Sequence, residues 1–206
     1  MIKAIIFDLD GVLVDATHWH YEALNKALGL FGYTITEEEH SNFYNGLPTK
    51  KKLEFLTKDK GLPVSLHPFI NSMKQKYTIE LIERNCRQDF QKIYMLKKLK
   101  EKGFKLAVCS NAILASVEIM LTRSGMMGYF DFVLSNEDIS CPKPNPDIYL
   151  KAFEKLKVRP KECVIVEDAE HGKQAAVSSG GYLLGVGGYY DVNYDLVYNF
   201  LKTLQQ

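Results

Sequence analysis

Five short apolar runs limit most strongly what this chain can fold into. They occupy residues 4–7, 104–109, 132–134, 163–166 and 182–186. Each is rich in Val, Ile, Leu or Phe and too short for an ordinary helix. Runs this brief and this uniformly apolar read as strands buried on both faces, as in a parallel sheet. Helical patterns lie between the later runs. Residues 112–124 repeat apolar positions at Ile113, Val117, Met120 and Leu121, and residues 146–156 do so at Ile148, Ala152, Phe153 and Leu156. Asn145-Pro146 marks the start of the second pattern, with Asn as N-cap and Pro at the first helical position. Alternating strands and helices predict an α/β protein with a doubly wound parallel sheet.

The alternation fails between residues 16 and 88, where no strand pattern is present. One helix fits residues 16–31, with Trp19, Ala23, Leu24, Ala27 and Leu28 on one face and Gly32 as its stop. A capping box from Thr36 to Glu39 opens a second, which ends near Gly46. A third spans residues 49–60 before Gly61, and a fourth spans residues 67–86 with Phe69, Met73, Tyr77 and Leu81 at i+4 spacing. The expected organisation is an α/β core from residues 1–15 and 89–206, with residues 16–88 inserted as an all-helical unit.

Composition removes several function classes. Among 206 residues, 46% are hydrophobic and 25% charged, and the net charge is +1. That balance gives no reason to expect nucleic acid or an anionic membrane as a partner. No apolar run approaches the roughly 18 residues of a membrane helix, and residues 2–7 are too short for a signal peptide. Cys86, Cys109, Cys141 and Cys163 form no CxxC pair, so they are expected to be reduced thiols in a cytoplasmic protein. Cys109 and Cys163 fall in apolar runs, where core packing is the expected role.

In an open α/β sheet, ligands bind at the carboxyl ends of the strands. The first run ends in Asp8 and Asp10, the second in Ser110 and Asn111, and the fourth in Glu167 and Asp168, while Lys143 follows the third. Four carboxylates and one lysine leave a net charge of −3. Two like charges ~4 Å apart repel by ~4 kcal/mol at an effective dielectric of ~20. A hard divalent cation with oxygen ligands, Mg²⁺ above all, would relieve that repulsion. Taken alone, Asp8 and Asp10 would also fit a strand-end turn or the DxD metal site of a nucleotide-sugar transferase.

Four motifs carry a family resemblance: Asp8-Leu9-Asp10-Gly11-Val12-Leu13, Cys109-Ser110-Asn111, Lys143-Pro144-Asn145-Pro146-Asp147-Ile148-Tyr149, and Val166-Glu167-Asp168-Ala169-Glu170-His171-Gly172. In this order they resemble the haloacid dehalogenase superfamily, in the helical-cap branch that includes phosphoglycolate phosphatase-like and β-phosphoglucomutase-like enzymes. The resemblance implies a Rossmann-like core with a helical cap, and a small phosphorylated metabolite as substrate. It implies that Asp8 is the nucleophile forming an aspartyl-phosphate. Asp10 would be the general acid for the leaving alcohol and then the base for water. Asp8, the Asp10 backbone carbonyl, Asp168 and Glu167 would hold Mg²⁺, with Glu167 alternatively orienting a water or Lys143. Ser110 and Lys143 would bind the phosphoryl oxygens, with backbone N–H groups after Asp8 and with Asn111 alongside.

His20 matches a histidine of the mutases of this branch, which implies a substrate-binding role, although a lone histidine on a helix is more often packed or exposed. Asp10 excludes dehalogenases and phosphonoacetaldehyde hydrolases, which lack an acid there. Mutases of the branch carry cap cations where this chain has Asn45 and Thr49, and a lysine where Ile113 and its neighbours are apolar. Phosphatase is therefore the expected activity and β-phosphoglucomutase-like isomerisation the alternative. A non-catalytic binding protein would be expected to have lost Asp8 or Lys143. Lys50, Lys51 and Lys52 read as a solvated helix face unless one turns inward to meet a second anionic group. His171 reads as a loop residue and residues 185–188 as a turn, and Tyr189-Tyr190 fit core, rim or interface. A monomer or weak homodimer is expected.

Overall fold

The computed structural model describes residues 1–204. Five strands, β1 (Ala4–Phe7), β2 (Lys105–Cys109), β3 (Phe132–Leu134), β4 (Cys163–Glu167) and β5 (Tyr182–Gly185), form one parallel sheet in the order β3-β2-β1-β4-β5. The two-residue side-chain period of a strand divides the core into two layers. Ile5, Phe7, Leu106, Val108, Val164 and Val166 point to one face, and Ala4, Ile6, Ala107, Cys109, Cys163 and Ile165 to the other. Helices α5 (Phe90–Glu101), α6 (Leu114–Arg123) and α9 (Tyr194–Thr203) cover the first face through residues such as Leu96, Met120 and Leu201. Helices α7 (Asp147–Leu156) and α8 (Glu170–Ser179) cover the second through Tyr149, Phe153 and Ala175.

The chain runs from β1 outward to β2 and β3, then crosses back to β4 and β5 on the other side of β1. The carboxyl end of β1 is thus the topological switch point, where open α/β sheets form their crevice. Asp8 sits there, its N–H donating to the Val166 carbonyl at 3.0 Å.

Between β1 and β2 lie α1 (Thr17–Gly29), the short α2 (Glu37–Glu39) continuing as a wider turn over His40–Tyr44, α3 (Thr49–Lys60) and α4 (His67–Asn85). They share a separate apolar cluster that includes Leu24, Leu28, Ile35, Leu53, Leu56 and Ile70. The Thr36–Glu39 capping box forms, and Gly61 ends α3 at φ 69°. Helix α1 stops at Gly29, short of the expected end, because Leu30 and Phe31 beyond it are exposed and add nothing to the buried face. Helix α7 starts one residue later than expected, with the Asp147 N–H donating to Asn145 Oδ1 at 3.1 Å.

The face of α4 departs from its sequence pattern. Its buried positions are Ile70, Lys74, Thr78, Leu81 and Ile82, while Phe69 is 50% exposed. The stripe is shifted by one residue, so a lysine lies where an apolar residue was expected. Two consecutive tyrosines after β5 tie down the chain crossings: the Tyr189 hydroxyl donates to Asp89, and the Tyr190 hydroxyl donates to Asp15 at 3.1 Å. All four cysteines are free, and only Cys141 is exposed. Among the described residues no helix is long and apolar enough to cross a membrane.

His40 gives the fold a pH dependence. It is 3% exposed, packs its ring against Tyr21 at 5.4 Å, and neither ring nitrogen has a hydrogen-bond partner among the described residues. Burial, then the nearby Lys52 charge, pushes its pKa down to about 3. The unfolded chain therefore binds a proton that the native state refuses, and stability falls as pH drops below the unfolded value of ~6.5. At pH 5 this histidine costs about 2 kcal/mol relative to pH 7.5. Urea titrations at both pH values should show the change in stability on going from pH 7.5 to 5 to be about 2 kcal/mol more unfavourable in wild type than in His40→Phe, the other titrating groups being common to both. Equal pH sensitivity in both proteins would assign the effect elsewhere.

Candidate active site

The crevice above β1 opens into a cavity of about 250 Å³ between the sheet and the inserted helices. Asp8, Asp10, His20, Ser110, Asn111, Lys143 and Glu167 all line it. The four motifs therefore converge although they are spread over residues 8–172 of the sequence.

Lys143 organises the core side. Its ammonium is 3% exposed and donates to Asp8 Oδ1 at 2.7 Å, Glu167 Oε1 at 2.5 Å and the Cys109 carbonyl at 2.7 Å. Burial alone would lower the Lys143 pKa, but Asp8 and Glu167 override it and raise it. The Tyr149 hydroxyl also donates to Glu167 Oε1. The sequence motif contained Tyr149, but nothing local assigned it to a carboxylate 18 residues away.

Carboxylate oxygens of Asp8, Glu167 and Asp168 lie within 4.8 Å of one another. With all three carboxylates ionised, they and the one ammonium give this group a formal charge of −2. Burial, then repulsion from Asp8, pushes Glu167 up to about 8 and Asp168 up to about 7. Asp168 Oδ1 is buried without a hydrogen-bond partner. Two glycines make the close packing of these groups possible. A Cβ on Gly11, whose φ is +81°, would lie 2.2 Å from Asp168 Oδ2, and a Cβ on Gly172 would lie 2.1 Å from the Glu167 carboxyl. An orphaned oxygen, clustered hard donors and uncompensated negative charge fit a divalent cation.

Asp10 belongs to a different electrostatic neighbourhood. Its carboxylate faces the inserted helices and pairs with His20 Nε2 at 2.9 Å. Burial would raise its pKa, but His20, then Lys74 and Lys52, lower it. His20 is itself lowered, first by burial and then by Lys74, whose Nζ lies 3.1 Å from His20 Nδ1. The expected single pool of −3 is thus two groups: a carboxylate trio on the core side, and Asp10 among cap cations. Its backbone carbonyl accepts no hydrogen bond among the described residues, which leaves it available to a cation.

Ser110 is buried, and its Oγ accepts from the Ala112 N–H at 3.0 Å, which leaves its O–H free to donate. Asn111, expected beside the substrate, spends its amide on main chain. Nδ2 donates to the Gly46 carbonyl at 2.9 Å, and Oδ1 accepts from the Lys143 N–H at 3.1 Å. It braces the Lys143 loop and holds the cap loop against the core. The solvated-face reading of the lysine run needs correction. Lys51 does pair with Glu54 near the surface at 2.9 Å, but Lys52 is 4% exposed and lines the cavity. Its spacing from Leu56 puts it on the buried side of α3. Lys74 was missed because the i+4 pattern on α4 selected the neighbouring register.

A parallel sheet with a helical insert after β1 and an aspartate pair at its switch point defines a class of hydrolase. Residues 5–186 match the family described as haloacid dehalogenase-like hydrolase. The chain belongs to this family, and it is an enzyme of the phosphoric-ester-hydrolysing kind. A phosphorylated carbohydrates phosphatase of Thermotoga maritima is 30% identical over 87% of this chain and 82% of that protein. A phosphoglycolate phosphatase of Aquifex aeolicus is 31% identical over 93% of this chain and 88% of that protein. A β-phosphoglucomutase structure from Clostridium difficile has the same fold, with a TM-score of 0.87, 24% identity, and coverage of 99% of this chain and 97% of that one.

Proposed function

We infer that the protein is a Mg²⁺-dependent phosphatase of small phosphorylated metabolites, acting through an aspartyl-phosphate on Asp8. The observation that carries this reading is the separation of the two aspartates. Asp8 is fixed by Lys143 within a carboxylate trio, while Asp10 is turned toward the cap and held by His20. Nucleophile and proton donor need this separation, because one attacks phosphorus and the other serves the departing oxygen.

Asp8, Glu167, Asp168 and the Asp10 carbonyl would hold Mg²⁺. The bound ion would supply charge neutralisation for the anionic phosphoryl group and its developing transition state. Lys143 keeps one Asp8 oxygen engaged, and the other attacks phosphorus in line as the bond to the leaving oxygen breaks. Lys143 and the Ser110 hydroxyl take up charge on the equatorial oxygens. A phosphate dianion bound beside Asp10 raises its pKa, so that Asp10 takes up a proton from solvent and gives it to the leaving alkoxide. It then takes a proton from the water that attacks phosphorus, breaks the acyl-phosphate bond and releases phosphate.

The inserted helices act as a lid, joined to the core by the two crossings that Tyr189 and Tyr190 anchor. The Asn111–Gly46 bond is one latch of the closed arrangement.

The test is phosphate release from a panel of sugar, polyol and carboxylate phosphates with Mg²⁺. Release should stop on chelation and return with Mg²⁺, and Ca²⁺ should support less because its looser coordination disturbs in-line geometry. Full turnover after exhaustive chelation would sink the metal requirement. Lys52 and Lys74 favour a second reading, a phosphomutase, because they restore cap cations. Glucose 6-phosphate formed from β-glucose 1-phosphate, with little free phosphate, would select it.

Asp10→Asn should slow alkyl phosphates by ~10²–10⁴-fold and activated aryl phosphates far less, since proton donation matters most for a poor leaving group. The comparison is kcat on glycerol 1-phosphate and on p-nitrophenyl phosphate. Equal losses on both would remove Asp10 as the acid.

A further inference from the structure

One loop after β5 holds the two chain crossings between core and inserted helices, and it holds them unequally. Tyr189 grips the second crossing. Its hydroxyl donates to Asp89 Oδ2, while Asp89 Oδ1 caps α5 by accepting from the Gln91 and Lys92 N–H groups at 2.7 and 3.0 Å. Lys92 is 2% exposed and reaches back from the same helical turn. Its Nζ donates to the Tyr189 carbonyl at 2.7 Å and the Val192 carbonyl at 2.5 Å, and lies 4.1 Å from the centre of the Tyr189 ring. The second crossing is thus bound into the core by several bonds. Tyr190 grips the first crossing by one bond, its hydroxyl donating to Asp15 Oδ2 at 3.1 Å. Tyr190 is 85% exposed and Asp15 is exposed, so water competes for both ends of that bond.

The first crossing leads to reacting groups in both directions. Upstream, the Val14 N–H donates to the Leu9 carbonyl at 2.9 Å, and the Val14 carbonyl accepts from the Gly11 N–H at 2.8 Å. The turn that carries Asp10 therefore closes one residue before Asp15. Downstream, α1 starts at Thr17 and carries His20, which meets Asp10 at 2.9 Å. The direction in which the chain leaves Asp15 decides whether His20 reaches Asp10. A cavity of about 470 Å³ lies between the crossings, lined by Asp15, Trp19, Asp89, Phe90 and Tyr189 among others. Close packing would resist bending there, whereas the cavity leaves the first crossing room to move against the second.

We propose that Tyr190 is a positioning residue of the lid. Its bond to Asp15 is a releasable strap on the first crossing, made in the closed state and broken on opening, while Tyr189 and Asp89 hold the second crossing as a fixed pivot. The structure is the strapped state, in which the His20–Asp10 and Asn111–Gly46 bonds are also made. The strap deepens the lid assignment made above and rests on it.

The test begins with Tyr190→Phe, which removes a hydroxyl from an exposed ring. An exposed hydrogen bond of this kind contributes about 0.5–1.5 kcal/mol, or roughly 2- to 12-fold in the closed-to-open ratio. Amide hydrogen exchange of the full chain without ligand should speed up by that factor at residues 13–20 and keep the wild-type rate at residues 87–92. Asp15→Ala should match it, and the double variant should add little to either single change. Unchanged exchange at residues 13–20, equal acceleration at both crossings, or fully additive variants would each overturn the strap. Turnover with Mg²⁺ is then compared on the ester that wild type hydrolyses fastest. Tyr190→Phe should raise KM where the free lid is mainly open, or kcat where lid opening limits release. A fall in kcat, or no change in either constant, overturns the positioning role. If wild type hydrolyses no ester in the panel, the phosphatase reading fails instead, and the exchange comparison alone decides the strap.

Discussion

Asp8→Asn should lower phosphate release by at least ~10⁴-fold, the scale of losing a catalytic nucleophile. An amide oxygen of the same shape is a poor nucleophile, so the step that fails is attack on phosphorus. The fold should tolerate the change, because it removes one of three carboxylates whose oxygens lie within 4.8 Å and relieves part of their repulsion. Acid-quenched wild type incubated with substrate should carry a phosphoryl group by intact mass, and the variant should not. Retention of more than roughly 1% of activity, or a phosphorylated variant, would move the nucleophile elsewhere.

Lys143→Met should cost both stability and turnover. The lysine bonds Asp8, Glu167 and the Cys109 carbonyl while 3% exposed. Removing one member of a buried ion pair typically costs about 3–5 kcal/mol, because the remaining charge has no water to turn to. In a chain of this size each kcal/mol moves Tm by about 2–4 °C, so Tm should fall by about 6–20 °C. Turnover should fall by ~10²–10³-fold through lost charge stabilisation of the phosphoryl group. The trio then carries −3, so added Mg²⁺ should recover more Tm in the variant than in wild type. Scanning calorimetry with and without Mg²⁺ reads both effects. A Tm within ~1 °C of wild type would show that the three bonds do not stabilise the native state.

The local chemistry of the chain was legible where one residue's environment depends on its near neighbours. Short apolar runs at 4–7 and 163–166 can satisfy their burial only inside a parallel sheet, and β1 and β4 form there. Thr36 and Glu39 act on each other's backbone three residues apart, and Gly61 donates its N–H to carbonyls four and five residues back, so the capping box and the end of α3 follow directly. The site carboxylates were found because strand ends in such a sheet share one crevice, whatever the strand order.

Tertiary structure decided the partition of charge. Asp8 and Asp10 are two residues apart, which strand alternation would leave on one face; the turn that follows the end of β1 at Phe7 separates them, and which cations meet each is set by contacts across the fold. Lys143 reaches Asp8 across 135 residues, and Lys74 reaches His20 across 54. Lys52 looked like a solvated position and Lys74 was passed over, because periodicity rewards apolar stripes, and a helix face turned toward a polar cavity has none. The stripe on α4 was therefore read one residue out of register. Burial of a charge is favourable only against a partner or a ligand, and neither can be seen from the helix that carries it.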